Sequence, residues 1–237
     1  MKEAYDKLQK ESCQMRIYET VPFGILLAIV GGLLDAYTYI GRNGVFANAQ
    51  TGNIVLLGIH ASEGDWKKAL MYVPPILAFI LGVIFVEIIK KLSPRLFGLD
   101  WVQMILMLEV VVLFILGFVP ADFPDIMVTV TISFIASVQV CSFSKLVDSS
   151  YATTMMTGNL RSFSQALYRA IAAKDPEAKA RAVRYILVII SFVIGAVIGG
   201  ALTILTGVRA IWGAVMILLV CIAIVGLSGY SNSRKAL

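Results

Sequence analysis

"GRNGVFANAQTGNIVLLGIH", residues 41–60, is the stretch whose reading decides the fold. It follows one long apolar run and precedes the next, yet it carries Arg, Asn, Gln and Thr. Its Thr-Gly-Asn returns in "MTGNLRSFS", residues 156–164, between two later runs. Neither of the segments that hold them, roughly 45–60 and 149–172, is uniformly apolar enough for a comfortable crossing, which takes ~20 apolar residues in a helix to span ~30 Å of hydrocarbon. The runs around them, 21–42, 69–90, 101–120, 126–146, 184–206 and 210–229, are each long enough.

The chain has 237 residues, is 59% hydrophobic and only 15% charged, with a mean hydropathy of +0.85. Soluble domains carry roughly a quarter charged residues, so a water-soluble core is excluded. The net charge of +5 comes mainly from bases beside apolar runs, which suits membrane orientation and argues against a nucleic-acid footprint. Cys13, Cys141 and Cys221 have no paired framework and no metal-ligand spacing, so they read as packing residues. No metal or cofactor site is expected. Residues 1–20 lack the apolar core of a signal peptide and read as a cytoplasmic amphipathic segment on the membrane surface. No nucleophile–base set, Walker loop, dinucleotide fingerprint or zinc motif is present, and an enzyme is not expected.

Thr20 and Pro22 suit the start of the first helix, and Pro74-Pro75 should kink the second run. The repeat extends beyond the tripeptide. Tyr72, Phe79 and Gly82 match Tyr185, Phe192 and Gly195 at one constant offset, and Trp101 and Trp212 open the runs that follow. If the Thr-Gly-Asn segments dip into the membrane and return, six spans with both termini cytoplasmic place sixteen of the 20 Lys and Arg residues inside. Arg42, Lys67, Lys68 and Arg209 stay outside with the base-free loop "ADFPD", residues 121–125. Letting both segments cross would export Lys90, Lys91, Arg95 and Lys145, against the positive-inside rule. The expectation is an all-α membrane protein of six transmembrane helices, built as a 3+3 inverted repeat over 21–120 and 121–237. Each half holds one re-entrant or short broken segment, and the two enter from opposite leaflets.

A non-helical approach over 41–51 is long enough to reach the midplane, and a short helix from Gly52 to His60 returns. Thr51 or Asn53 would cap that helix, and Gly52 allows a sharp turn or a close approach. Two helix N-termini facing one another favour an anion, or the electronegative atoms of a neutral solute. The candidate binding residues are Asn48, Gln50, Thr51, Gly52 and Asn53 from the first segment and Thr154, Thr157, Gly158 and Asn159 from the second. Gln139 and Arg161 join them. Asp35 lies about two-thirds across the first span and Glu109 near the centre of the third; buried carboxylates are costly and suit proton or ion coupling, the alternative being a static contact between helices. Arg161 either neutralises one of them or holds an anion; with Gln165 and Arg169 it also fits a solvated helix face. Glu87 reads as an interfacial carboxylate and His60 as a surface group. Ser191, Gly195 and Gly199 suit helix packing or a homo-oligomer contact.

Gly32, Asp35, Ala36 and Tyr39, followed by Phe46, Thr51, Gly52 and Asn53, resemble a pattern of the YoaK family of bacterial inner-membrane proteins, and "ATTMMTGNL" resembles its second half. Members often have Thr where Asn159 stands, and a Gln-Asn pair in the fourth span, where this chain has Gln139 and Val140. The resemblance covers nearly the whole chain and implies an integral inner-membrane protein of about six spans. The architecture leads to a small transporter or channel for a small polar or anionic solute. The alternative is a non-transporting scaffold or sensor acting through a protein partner.

Overall fold

The computed structural model describes residues 17–92, 95–96, 99–147 and 149–234. Most of the N-terminal segment, with Cys13, lies outside the described residues. A 3-10 turn at Ile17–Glu19 leads into α1, Val21–Gly41, with Thr20 as its cap residue and proline in its first turn. The Thr20 hydroxyl donates back to the Ile17 carbonyl at 2.6 Å, so it makes no capping bond to the helix. The next helices are α2, Gln50–Ser62, α3, Trp66–Met71, and α4, Val73–Leu92. The expected kink is a break at Tyr72, because Pro74 and Pro75 have no N–H to offer the preceding turn.

Then come α5, Trp101–Leu116, α6, Asp125–Ser142, α7, Met156–Ala172, α8, Pro176–Thr206, and α9, Trp212–Arg234. Helix α8 begins well before the apolar run that announced it. The Asp175 carboxylate accepts the Glu177 and Ala178 N–H groups at 2.9 and 3.2 Å, and Pro176 fits the first turn. Two small antiparallel hairpins, unexpected from the sequence, pair β1, Arg95–Leu96, with β2, Leu99–Asp100, and β3, Lys145–Leu146, with β4, Ser149–Ser150.

Val21–Gly41, Trp66–Lys91, Asp125–Ser142 and Pro176–Leu227 are long and apolar enough to cross a membrane, and Val102–Leu116 is a shorter apolar helix. The stretch Pro176–Leu227 spans 52 residues, about twice what one crossing needs. It reverses at a 3-10 turn, Gly207–Ile211, where Gly207 sits at φ 58°, a left-handed conformation that glycine adopts without a Cβ clash.

Glycines set the closest helix contacts. Gly32 of α1 lies on the Phe192 carbonyl and the Ala196 nitrogen, Gly195 on the Ile29 carbonyl and Gly199 on the Leu33 carbonyl. A Cβ at any of these three would overlap backbone, so α1 and α8 run side by side, in parallel, at backbone contact. Gly195 and Gly199 are thereby taken up within the chain. Gly82 brings α4 onto α6 in the same way, against Phe134 and Ser137, again in parallel. Trp212 Nε1–H donates to the Phe114 carbonyl at 3.2 Å, setting the start of α9 against the end of α5. Helix α1 runs antiparallel to α6. The Val147 N–H meets the Glu19 carbonyl at 2.7 Å at one end, and Arg42 meets Asp125 at 3.0 Å at the other. Arg42, expected as an exterior loop base, is buried; it also donates to the Tyr37 hydroxyl. Taken in chain order, α1, α4, α5, α6, α8 and α9 alternate in direction. Their shared core includes Phe23, Leu34, Leu106, Ile132 and Leu218.

Candidate functional site

After Arg42 the chain turns back and runs along α1 in non-helical form. Ala47 N–H donates to Thr38 Oγ1 at 3.1 Å, Asn48 N–H to Asp35 Oδ1 at 2.7 Å, and Asn48 Nδ2 to the Gly31 carbonyl at 3.0 Å. These partners step backwards along α1 to Gly31, the middle of its 21 residues. Half that helix, at ~1.5 Å per residue, is about 15 Å. There α2 begins and heads back. Asp35 places its carboxylate at the positive N-terminal end of α2, where a negative group is stabilised.

The capping expected of Thr51 and Asn53 is corrected. Ala49 is the cap residue of α2 and no side chain caps the helix. Asn53 lies inside the first turn, fully buried, and holds the backbone of the incoming segment. Phe46 N–H donates to its Oδ1 at 2.9 Å, while its Nδ2 donates to the Phe46 carbonyl at 2.8 Å and to Gln50 Oε1 at 2.9 Å. Gln50 Nε2 in turn donates to the Ala47 carbonyl at 2.9 Å. Asn159 repeats this clasp at the start of α7. Ala152 N–H donates to its Oδ1 at 3.2 Å, and its Nδ2 donates to the Ala152 carbonyl at 2.6 Å. The geometry asks for an amide, whose oxygen accepts a backbone N–H while its nitrogen donates to a backbone carbonyl. Gly52 is needed for close approach, since a Cβ there would meet the Phe46 ring at 2.8 Å, whereas Gly158 has open space around it.

The second segment also reaches Gly31, because a Cβ there would run into Thr154 and approach the Thr153 carbonyl. The two Thr-Gly-Asn tips therefore share one cavity of about 650 Å³. Asp35, Asn48, Gln50 and Thr51 line it from one side and Thr154, Thr157 and Gly158 from the other, with Tyr39, Phe46 and Phe192 among its walls. Asn48 Oδ1 and Thr154 Oγ1 are buried and have no hydrogen-bond partner. Both residues line the cavity, and a buried polar atom without a partner is costly. A second cavity of about 610 Å³ lies beyond Met155 and Gly158, lined by Phe79, Glu87, Lys90, Cys141, Asn159 and Ser162 among others. Phe79 and Phe192, matched in the sequence repeat, each wall one cavity.

Other expected site residues lie elsewhere. Glu109 is buried on α5, and neither of its oxygens makes a hydrogen bond; it lines neither cavity. Gln139 is buried in α6 with both amide atoms unpartnered, also off the cavities. Arg161 is exposed and lines neither. His60 pairs with Glu63 at 3.0 Å and stacks on Tyr72. Glu87 is exposed and paired with Lys90 at 2.9 Å. Sequence reasoning missed the Tyr39–Phe46 stack, with centroids 4.7 Å apart, and the role of Met155 at the junction. The Tyr39 and Phe46 spacing was visible, but nothing local says that the chain doubles back between them. Among the described residues no group of three or more His, Cys, Asp or Glu could hold a metal ion.

The model of the family described as "Protein of unknown function (DUF1275)" matches residues 23–224. The UPF0700 transmembrane protein YoaK of Bacillus subtilis (strain 168) is 28% identical over 140 residues, covering 58% of this chain and 62% of that protein. The match thus spans less than two-thirds of that relative. No solved structure matches.

Proposed function

The chain is a multi-pass membrane protein that belongs to the DUF1275 family, and on that footing we propose that it is a small transporter or channel for a small polar or anionic solute. In this reading the solute sits near the bilayer midplane between the two Thr-Gly-Asn helices, and six crossings form a 3+3 inverted repeat. One observation carries it: two broken segments, from different halves of the chain, both reach Gly31 in the middle of α1 and line one cavity there. Non-helical backbone at that depth is tolerated only where protein or a water-filled cavity surrounds it. The alternating helix directions, the paired asparagine clasps and the paired Phe79 and Phe192 walls support the repeat. Broken helices at a repeat interface are a recurrent way to build a transport site.

Asp35 is the coupling residue this reading favours, since it lines the cavity and holds the first tip by the Asn48 N–H. Glu109, off the cavity, would act only indirectly. The end carrying Lys90, Lys91, Lys145 and Arg169 faces the cytoplasm of a bacterial inner membrane, with both termini, and no covalent chemistry is performed.

The test is thermal unfolding of the purified protein in detergent against a panel of small anions, zwitterions and neutral polar solutes. A ligand of the folded state raises the unfolding temperature, by several degrees at ~100-fold above its Kd. At least one solute should do so, and the rise should vanish in Gly158→Phe, whose Cβ would meet nothing within 4 Å and whose ring would fill part of the cavity that Gly158 lines. No response across the panel, or a response that survives Gly158→Phe, refutes the shared cavity as the binding site.

A further inference from the structure

We propose that the solute is a small anion, bound at the N-terminus of α7 and passed along the α7 face that carries Gly158, Ser162, Gln165 and Arg169. This rests on the transport reading and adds the substrate's charge and its route. The two tips look alike in sequence but differ in charge. At α2 the Asp35 carboxylate already occupies the positive end through the Asn48 N–H. At α7, a helix of 17 residues, no side chain caps the N-terminus. The buried Thr154 hydroxyl beside it has no partner. Thr154, Thr157 and Gly158 all line the cavity. An uncapped helix start with an unpartnered hydroxyl is a site for a negative group.

Residues 158, 162, 165 and 169 lie on one face of a helix, and three cavities follow that face. Met155 and Gly158 belong to both the 650 Å³ and the 610 Å³ cavities. Ser162 belongs to the second and to a third of about 320 Å³, which Ser149, Gln165, Arg169, Arg181 and Tyr185 also line. Among the described residues no carboxylate lines this third cavity, and Arg169 and Arg181 give its described lining a positive charge that concentrates anions. In the middle cavity Glu87 is matched by Lys90 at 2.9 Å and leaves no net charge. Met155 and Gly158 stand where the first two cavities adjoin. Leu160, Leu167 and Ile171 are exposed apolar residues of the same helix, off this face, suited to lipid.

Single cysteines at positions 158, 162 and 165, in a Cys13→Ser, Cys141→Ser, Cys221→Ala background, test the route in membrane vesicles opened to both sides. The probes are anionic sulfonatoethyl and cationic trimethylammonioethyl methanethiosulfonate, each rate normalised to free cysteine. Ser162→Cys and Gln165→Cys should react with the anionic reagent about 10-fold faster than with the cationic one. Arg169→Gln with Arg181→Gln should bring that ratio to near one, and Leu160→Cys should resist both reagents. If the background does not fold, native Cys141, which lines the middle cavity, reports the same preference in the unaltered chain by mass spectrometry. Equal rates for the two reagents, or a preference indifferent to the arginines, overturns the anion route while a thermal-shift hit lost in Gly158→Phe keeps the transport reading. A face closed to both reagents together with no thermal-shift hit removes both.

Discussion

An amide on a short stem can hold a backbone N–H and a backbone carbonyl together, and this chain uses that property twice. Asn53 grips Phe46 and Asn159 grips Ala152, each across seven residues, so that a segment entering the protein turns into a helix at a fixed angle. Replacing either by Leu keeps the volume and leaves a buried N–H and a buried C=O without partners, each costing about 1–3 kcal/mol. Asn53→Leu and Asn159→Leu should each lower unfolding stability by about 2–4 kcal/mol. Thermal unfolding in detergent measures this, and a variant within about 0.5 kcal/mol of the parent would mean that the clasp does not hold the tip. The repeated tripeptide was legible in the sequence, but its role was not. A cap and a first-turn residue differ by a few positions, and only the path of the incoming chain tells them apart. Arg42 makes the same point more strongly. A base after an apolar run reads as interfacial, and its partner Asp125 lies 83 residues away.

Helix pairs here are set by where backbone can touch backbone. Gly32 and Gly195 seat α1 on α8, and Gly82 seats α4 on α6. Gly32→Ala places a methyl against the Phe192 carbonyl and should cost about 1–3 kcal/mol or more, since the obstacle is backbone and cannot swing aside. Gly58→Ala has nothing within 4 Å in the interior of α2 and should stabilise by about 0.5–1 kcal/mol. The two variants compared by thermal unfolding give opposite signs; a neutral Gly32→Ala would remove close packing as the basis of the α1–α8 pair. The length and order of the elements were largely legible from hydropathy, which marks apolar runs. The polar start of α8 was not, because it depends on the Asp175 cap and on packing against α7.

The two halves of the molecule do not stand apart. Helix α1 of the first half pairs with α8 of the second, and α4 of the first with α6 of the second, so the 650 and 610 Å³ cavities take their walls from both. The six-crossing reading places the loops around Glu63 and Asp122 on one side of the membrane and the loop at Lys174 on the other. All three residues are exposed. Glu63→Cys and Asp122→Cys should react with an impermeant maleimide added to one face, and Lys174→Cys only from the opposite face. Labelling of positions 63 and 174 from the same face would mean that a short helix crosses, and the inverted repeat would fall with it.

Hydrophobic content and its periods settle by themselves that the chain lives in a bilayer, where its apolar runs lie and that two polar tripeptides interrupt them at matching places. These are local properties, because transfer of a segment into hydrocarbon depends on that segment's own composition. Which polar residues face a cavity was decided only by the tertiary structure. In a membrane both faces of a helix can be apolar, so no moment points inward. Asp35 and Thr154 reach the shared cavity while Glu109 and Gln139 are buried away from it. That division comes from contacts between segments far apart in the chain, made when α1 and α8 close on each other and bring both tips to Gly31.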